Sequence, residues 1–264
     1  MTELQIDYYK DKKYISNSML GLLLSNPQLF TLWYNGEVEI PPTPDMVIGN
    51  VAHGEMFQYI SDGDYVSDYP YEIVAPYRLN TKAGKLYFDE TVKPLIDAGK
   101  NIIRQNDYDN VIEMVGAVKQ DPFMFDYLSE LSQYYTLSFE EVFTGKYNGV
   151  LIKGKLDIVC RDVNGIIRKI IDYKTTKDIN GFGYSVRKYG YDRQAGMYSV
   201  LTGLNLTDDV FDFLVQDKNT HELRVFKTHR PEFAAGCISK LDYAIDKFIE
   251  WRDGDLLKLK TIVL

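Results

Sequence analysis

Residues 153–178 read KGKLDIVCRDVNGIIRKIIDYKTTKD, and the fold turns on how this stretch divides. Residues 150–160 and 166–173 are β-rich runs, separated by the turn residues Asp162, Val163, Asn164 and Gly165. Two antiparallel strands joined there bring Asp157 of the first beside Asp172, Tyr173 and Lys174 at the end of the second. Asp172 and Lys174 are two residues apart and so share one face of their strand. Two carboxylates and an ammonium then converge at the edge of an otherwise apolar sheet. Carboxylates out of water are costly unless a cation compensates them. Oxygen ligands of this kind suit Mg²⁺ or Mn²⁺. The alternative is that both acids are strand-end residues, paired at the surface with Lys155, Lys174 or Lys177.

Working outward, residues 138–143 form another strand, turned onto 150–160 through Gly145 to Gly149. Downstream come a helix over 192–201, strands over 210–216 and 222–227, and a helix over 232–252. The chain before the sheet is mainly helical. A first helix is capped by Ser16 or Ser18 and ended by Pro27, and a second runs over 46–60. Residues 65–76 are expected to be extended. Residues 85–106 carry helical periodicity with Pro94 as a weak point, and 111–131 give one or two helices with Pro122 near a boundary. This order predicts an α/β (α+β) protein, a central mixed sheet flanked by helices with an N-terminal helical part. No repeat or flexible linker interrupts it, so a single domain is expected over 1–264. Its parts are a mainly helical segment (1–135), the sheet core (136–230) and a C-terminal helix (231–264).

The 264 residues are 45% hydrophobic and 14% aromatic, which excludes a predominantly disordered chain. No apolar run approaches the ~20 residues that span a bilayer, and residues 1–16 lack the apolar core of a signal peptide. A cytoplasmic protein without membrane association is expected. Cys160 and Cys237 are too few for a disulfide framework, an all-cysteine zinc site or an iron–sulfur cluster held by thiolates alone. The net charge of −8 argues against wrapping of nucleic acid by the whole surface, but the charge is polarised. Residues 146–193 hold eleven Lys and Arg against five Asp, or +6. Residues 77–104 carry +3, so −17 falls on the remainder. A basic groove built from both stretches is expected, and the plainer alternative is a solvated charged face.

Specificity comes from the order of several short motifs. Gly154-Lys155-Leu156-Asp157, followed by Ile171-Asp172-Tyr173-Lys174-Thr175, resembles the PD-(D/E)XK nuclease superfamily. Gln194-Ala195-Gly196-Met197-Tyr198 is similar to the Q-x-x-x-Y signature of its RecB-like branch. Gly49-Asn50-Val51-Ala52-His53 is similar to the G-x-x-x-H motif of the same branch. Ile15 to Leu20, Asn26 to Phe30 and Tyr77 to Lys85 resemble the exodeoxyribonuclease VIII (RecE-type) phage enzymes.

The resemblance implies a restriction-endonuclease-like core and a Mg²⁺- or Mn²⁺-dependent deoxyribonuclease. It would act on duplex DNA ends, 5′-to-3′, leaving single-stranded tails for phage-type recombination or replication. It also implies a ring-shaped homo-oligomer and a single-strand annealing recombinase as partner. Asp157, Asp172, the Tyr173 carbonyl and His53 would hold the metal. Lys174 would orient or activate water, and Gln194 and Tyr198, sharing a helix face, would support the site or touch DNA. Lys177, Arg187, Lys188 and Arg193 are expected at phosphates, and an aromatic loop of Phe182, Tyr184, Tyr189 and Tyr191 at an unpaired base. Of Glu140 and Glu141, which point to opposite faces, Glu141 is preferred as the extra acid. Asp178 and Asp192 are assigned to a solvated loop. Competing readings are a structure-specific endonuclease or single-strand nuclease with the same site, and an inactive DNA-binding protein on a nuclease fold.

Overall fold

Five strands, the central ones carrying most of the buried positions, build the frame onto which everything else packs. The computed structural model describes residues 8, 10–208 and 210–254, so the ends of the expected 1–264 domain, including 255–264 of its C-terminal part, lie outside the described residues. In chain order the first elements are α1 (Asn17–Ser25), α2 (Pro27–Tyr34), α3 (Pro44–Ile60), β1 (Glu72–Val74), α4 (Lys82–Tyr87), α5 (Lys93–Asp97), β2 (Ile102–Arg104), α6 (Gln105–Gln120) and α7 (Pro122–Tyr134). They are followed by β3 (Thr136–Tyr147), β4 (Val150–Arg161), β5 (Ile167–Thr176), α8 (Phe182–Tyr189), α9 (Tyr191–Thr202), β6 (Phe211–Asp217), β7 (Leu223–Lys227) and α10 (Pro231–Arg252).

The main sheet is mixed, in the order β3-β4-β5-β6-β7. Its β5–β6 pair is parallel and its other pairs antiparallel, and α8 and α9 make the crossover that a parallel pair requires. Asn148 and Gly149, both at positive φ, form the two-residue turn that closes the β3–β4 hairpin. Ile170, Phe211, Phe213 and Val215 face a cluster with α1, α8, α9 and α10. Ile158, Ile171, Tyr173 and Leu214 face a second cluster with α3, α6 and α7. Both faces are therefore covered.

Helix starts follow their caps. Ser16 accepts from Met19 N at α1, Thr43 from Met46 N at α3, and Asp121 from Phe123 and Met124 N at α7. Pro27 marks the end of α1 as expected, but it also opens α2, whose N-cap is Asn26. The helix expected over 85–106 is broken. After α4 comes a π turn (Phe88–Val92), then α5 with Pro94 in its first turn, then Gly99 at φ 75° and the short strand β2. Proline has no N–H to give to the preceding turn, so a continuous helix cannot pass it without a distortion. The extended run expected at 65–76 contributes only β1, which pairs in parallel with β2. Among the described residues no helix is long and apolar enough to cross a membrane.

Helices α9 and α10 cross closely because Gly196 has no side chain. A Cβ there would lie 2.6 Å from the Cys237 carbonyl oxygen, a backbone atom that cannot step aside. Gly196→Ala is therefore expected to destabilise the protein by about 1–3 kcal/mol. Urea unfolding should show a lower midpoint with an unchanged slope.

Candidate active site

Strands β4 and β5 pair from Arg161↔Ile167 down to Ile158↔Ile171 and then part. In that register Asp157 stands opposite Asp172. Beyond it β4 stays with β3, while β5 stays with β6 out to Thr176↔Asp217. Backbone groups freed by the split must find other partners, and they do. Leu151 O accepts from Ile15 N (2.9 Å), and Lys153 N donates to Ile15 O (3.0 Å). Lys155 O accepts from the Tyr198 hydroxyl (2.8 Å), and Tyr173 N donates to Asp157 Oδ2 (2.9 Å).

The split holds the chemistry. Asp172 is wholly buried, and neither of its carboxylate oxygens accepts a hydrogen bond. Lys174 Nζ lies 2.5 Å from Asp172 Oδ2 as an ion pair off hydrogen-bond alignment, and 4.0 Å from Asp157 Oδ2. Its ammonium also sits 5.1 Å from the centroid of the Tyr191 ring. From the other face of the sheet, α3 brings His53 Nδ1 to 3.7 Å from Asp157 Oδ2, with its ring against Phe57 and Tyr173. Burial pushes the Asp157 and Asp172 carboxyls up to about 6, against the pull of Lys174. Burial and the Lys174 charge lower His53 to about 4, which keeps its ring neutral and able to accept. Burial opposes the Lys174 charge, but Asp172 and Asp157 outweigh it and hold that group above its ordinary value.

Acids and a lysine placed this way have counterparts in known proteins. The family model for a "PDDEXK-like domain of unknown function (DUF3799)" matches residues 16–250. The chain belongs to this PDDEXK-like family. It is thus a member of the PD-(D/E)XK nuclease superfamily, and the match spans both the β4 and β5 acids. Among solved structures it is similar to a "Putative exonuclease" from Eubacterium rectale, at 14% identity and a TM-score of 0.59. That match covers 97% of this chain and 87% of the other, a likeness of fold. No curated protein matches the sequence.

The PDDEXK-like site fits a hard divalent cation. Two carboxylates have been taken out of water, and on Asp172 the Oδ1 oxygen has no hydrogen-bond partner while Oδ2 meets only the Lys174 ammonium. Asp157, Asp172 and His53 converge there. The Tyr173 carbonyl leaves its strand on the same edge as the N–H that bonds Asp157. Among the described residues no three His, Cys, Asp or Glu side chains already form a cage, because the Lys174 ammonium stands between the two carboxylates.

Several expected residues lie elsewhere. Glu141 turns away, bonded to Arg161 and Ser138. Glu140 is the acid opposite Asp157, at φ 49°, held by Lys155 (2.9 Å) and the Tyr65 hydroxyl (2.7 Å). The choice depended on strand register, which two adjacent acids do not reveal. Gln194 donates to the Tyr198 hydroxyl (2.7 Å), and Tyr198, buried, donates to β4. This pair ties α9 to the sheet, and neither residue lines the cleft. Arg193 is also buried, its guanidinium clamping Asn17 of α1, and is not a phosphate contact. Asp192 is not in a solvated loop: it is buried at the start of α9 and paired with Lys240. Asp178 is exposed, as expected.

A cleft of about 960 Å³ opens over Lys174 and His53, with Lys177, Lys188, Tyr184 and Tyr189 also on its walls. The expected aromatic loop is helical: Phe182, Tyr184 and Tyr189 belong to α8, Tyr191 opens α9, and Phe182 is buried in the core. Arg187 is one residue, or ~100°, round α8 from Lys188 and lines a different cavity. None of the cations of residues 77–104 lines the cleft, so the two basic stretches do not form one groove. Lys218 does line it, and with Lys177 it pairs to Asp45 (3.2 and 3.0 Å). Only the parallel β5–β6 pairing, which sets Thr176 beside Asp217, brings residues 177 and 218 together.

Two measurements follow from this geometry. Tyr198→Phe should cost about 1–3 kcal/mol in urea unfolding, since the Lys155 carbonyl loses its partner. Tyr189→Phe, at an exposed ring, should change stability by less than ~0.5 kcal/mol. Mn²⁺ affinity, by calorimetry, should fall about tenfold or more as pH drops from 7.5 to 5. Protons compete for Asp157 and Asp172 near pH 6, well before they reach His53 near 4. A flat profile would remove these carboxylates as ligands.

Proposed function

We propose that the protein is a metal-dependent DNA exonuclease, hydrolysing phosphodiester bonds from duplex ends. The observation that carries this reading is the buried Asp172 carboxylate, one oxygen against the Lys174 ammonium and the other without a hydrogen-bond partner, set beside Asp157 next to a cleft that Lys174 and His53 line. Asp157, Asp172, His53 and the Tyr173 carbonyl would hold Mg²⁺ or Mn²⁺. When bound, the ion would polarise the phosphodiester and lower the pKa of the attacking water.

The chain's own groups supply the rest. Lys174 is held charged by both acids, so it serves as a cation and donor towards phosphate oxygens and water, not as a base. The Tyr191 face and the Asp172 carboxylate fix where that ammonium sits. Neutral His53 offers a lone pair and no competing positive charge. Lys177, Lys188 and Lys218 give the cleft the local positive field that a chain of −8 lacks on average. On the family resemblance we extend the proposal to 5′-to-3′ polarity, ring assembly, and tails passed to a single-strand annealing recombinase in phage-type recombination.

The test is to incubate linear and covalently closed duplex with Mg²⁺, Mn²⁺ or EDTA, following label from each strand end. Linear duplex should be degraded, circles spared, and EDTA should abolish activity. Equal rates on circles would favour an endonuclease, and activity in EDTA would remove the metal. Asp172→Asn and Lys174→Ala should each lower turnover by about 10² or more, the scale on which removing one transition-state donor acts.

A further inference from the structure

Helix α8 separates the catalytic cleft from a second cavity, of about 540 Å³, that the nuclease reading does not use. Tyr184, Ser185 and Lys188 face the cleft; Gly183, Val186 and Arg187 face the second cavity. Phe182, beneath the helix, borders both. We propose that this second cavity binds single-stranded DNA, taking the strand that is not cut while α8 stands between the two strands at an opened duplex end. The inference rests on the nuclease reading.

Its chemistry selects the ligand. Arg187, Lys227, Arg230 and Lys240 line the cavity against two acids, Asp192 and Glu232. Lys240 is committed to buried Asp192. The exposed guanidiniums of Arg187 and Arg230 have no ion-pair partner among the described residues. Two unpaired arginines on one concave surface of an acidic protein call for an anion. Beneath them the surface is aromatic, with Phe226 and Phe233 partly accessible over buried Phe182 and Phe213. Phosphate donors around an aromatic floor suit a strand whose bases are unpaired, since a duplex keeps its base faces stacked away. An acidic peptide would satisfy the arginines but leave the phenyl faces without a planar partner.

The experiment measures binding by fluorescence anisotropy in EDTA. The probes are labelled oligothymidine, blunt duplex, duplex with an oligothymidine tail, and an oligoglutamate peptide. Arg187→Gln with Arg230→Gln should lower the ratio of tailed to blunt affinity about tenfold. It should also flatten the log–log salt slope on oligothymidine by about 1.4, or ~0.7 for each phosphate no longer neutralised. Phe233→Ala should weaken oligothymidine about tenfold while keeping the slope, because stacking releases no counterions. Equal loss on tailed and blunt duplex, no loss on either, or binding of oligoglutamate in place of oligothymidine would overturn the proposal. Cleavage of linear blunt duplex by the wild-type protein in Mn²⁺ is read in parallel. If that persists while the ratio does not move, this inference alone falls; if wild type neither binds nor cuts duplex, the nuclease reading falls.

Discussion

The carboxylate of Asp172, held out of water with only an ammonium beside it, is the constraint to which the rest of the molecule answers. Burying a charged carboxylate costs several kcal/mol even after relaxation, and one ion pair off ideal alignment does not cancel that. The deficit is carried by apolar packing on both faces of the sheet, with Ile170, Phe213 and Val215 on one side and Ile171, Tyr173 and Leu214 on the other. A site poised to attract a cation is thus a locally unfavourable spot in an otherwise favourable layer. The acids sit where two strands separate and not in the middle of the ladder, beside the cleft that Lys174 and His53 line.

Electrostatics in this protein are local. The average charge is acidic, yet lysines from three separate segments, at 174 and 177, at 188 and at 218, meet around one opening. The parallel β5–β6 pair with its α8–α9 crossover accounts for that convergence, since it returns the chain to the same end of the sheet it left. The groups gathered at that end come from opposite faces: His53 from the α3 side, Tyr191 from the α9 side.

Much of this was legible in the sequence because it depends on period and order. The β-rich runs 150–160 and 166–173, with the turn between them, located β4 and β5, the spacing of Asp172 and Lys174 placed them on one face, and four motifs in sequence pointed to the superfamily. What was not legible depended on register and rotation. Glu140 and Glu141 are equivalent until strand pairing sets one opposite Asp157. Arg187 and Lys188 are equivalent until a helix, and not a loop, turns them towards different cavities. Arg193 and Asp192 look like solvated charges until α1 and α10 pack over them. The broken helix at 88–104 shows the other limit, where one proline and one glycine override a good apolar period.

The edge of β4 that β5 abandons is completed by a patchwork: backbone at Ile15, a phenol from α9, and then a side-chain carboxylate reaching to the next strand. A continuous ladder zips and unzips as a unit. Here each patch is contributed by a different segment, so one can let go while its neighbours keep β4 in place. The end of the sheet that carries Asp157 is in that sense fastened independently of its base, so opening there need not propagate into the paired strands below.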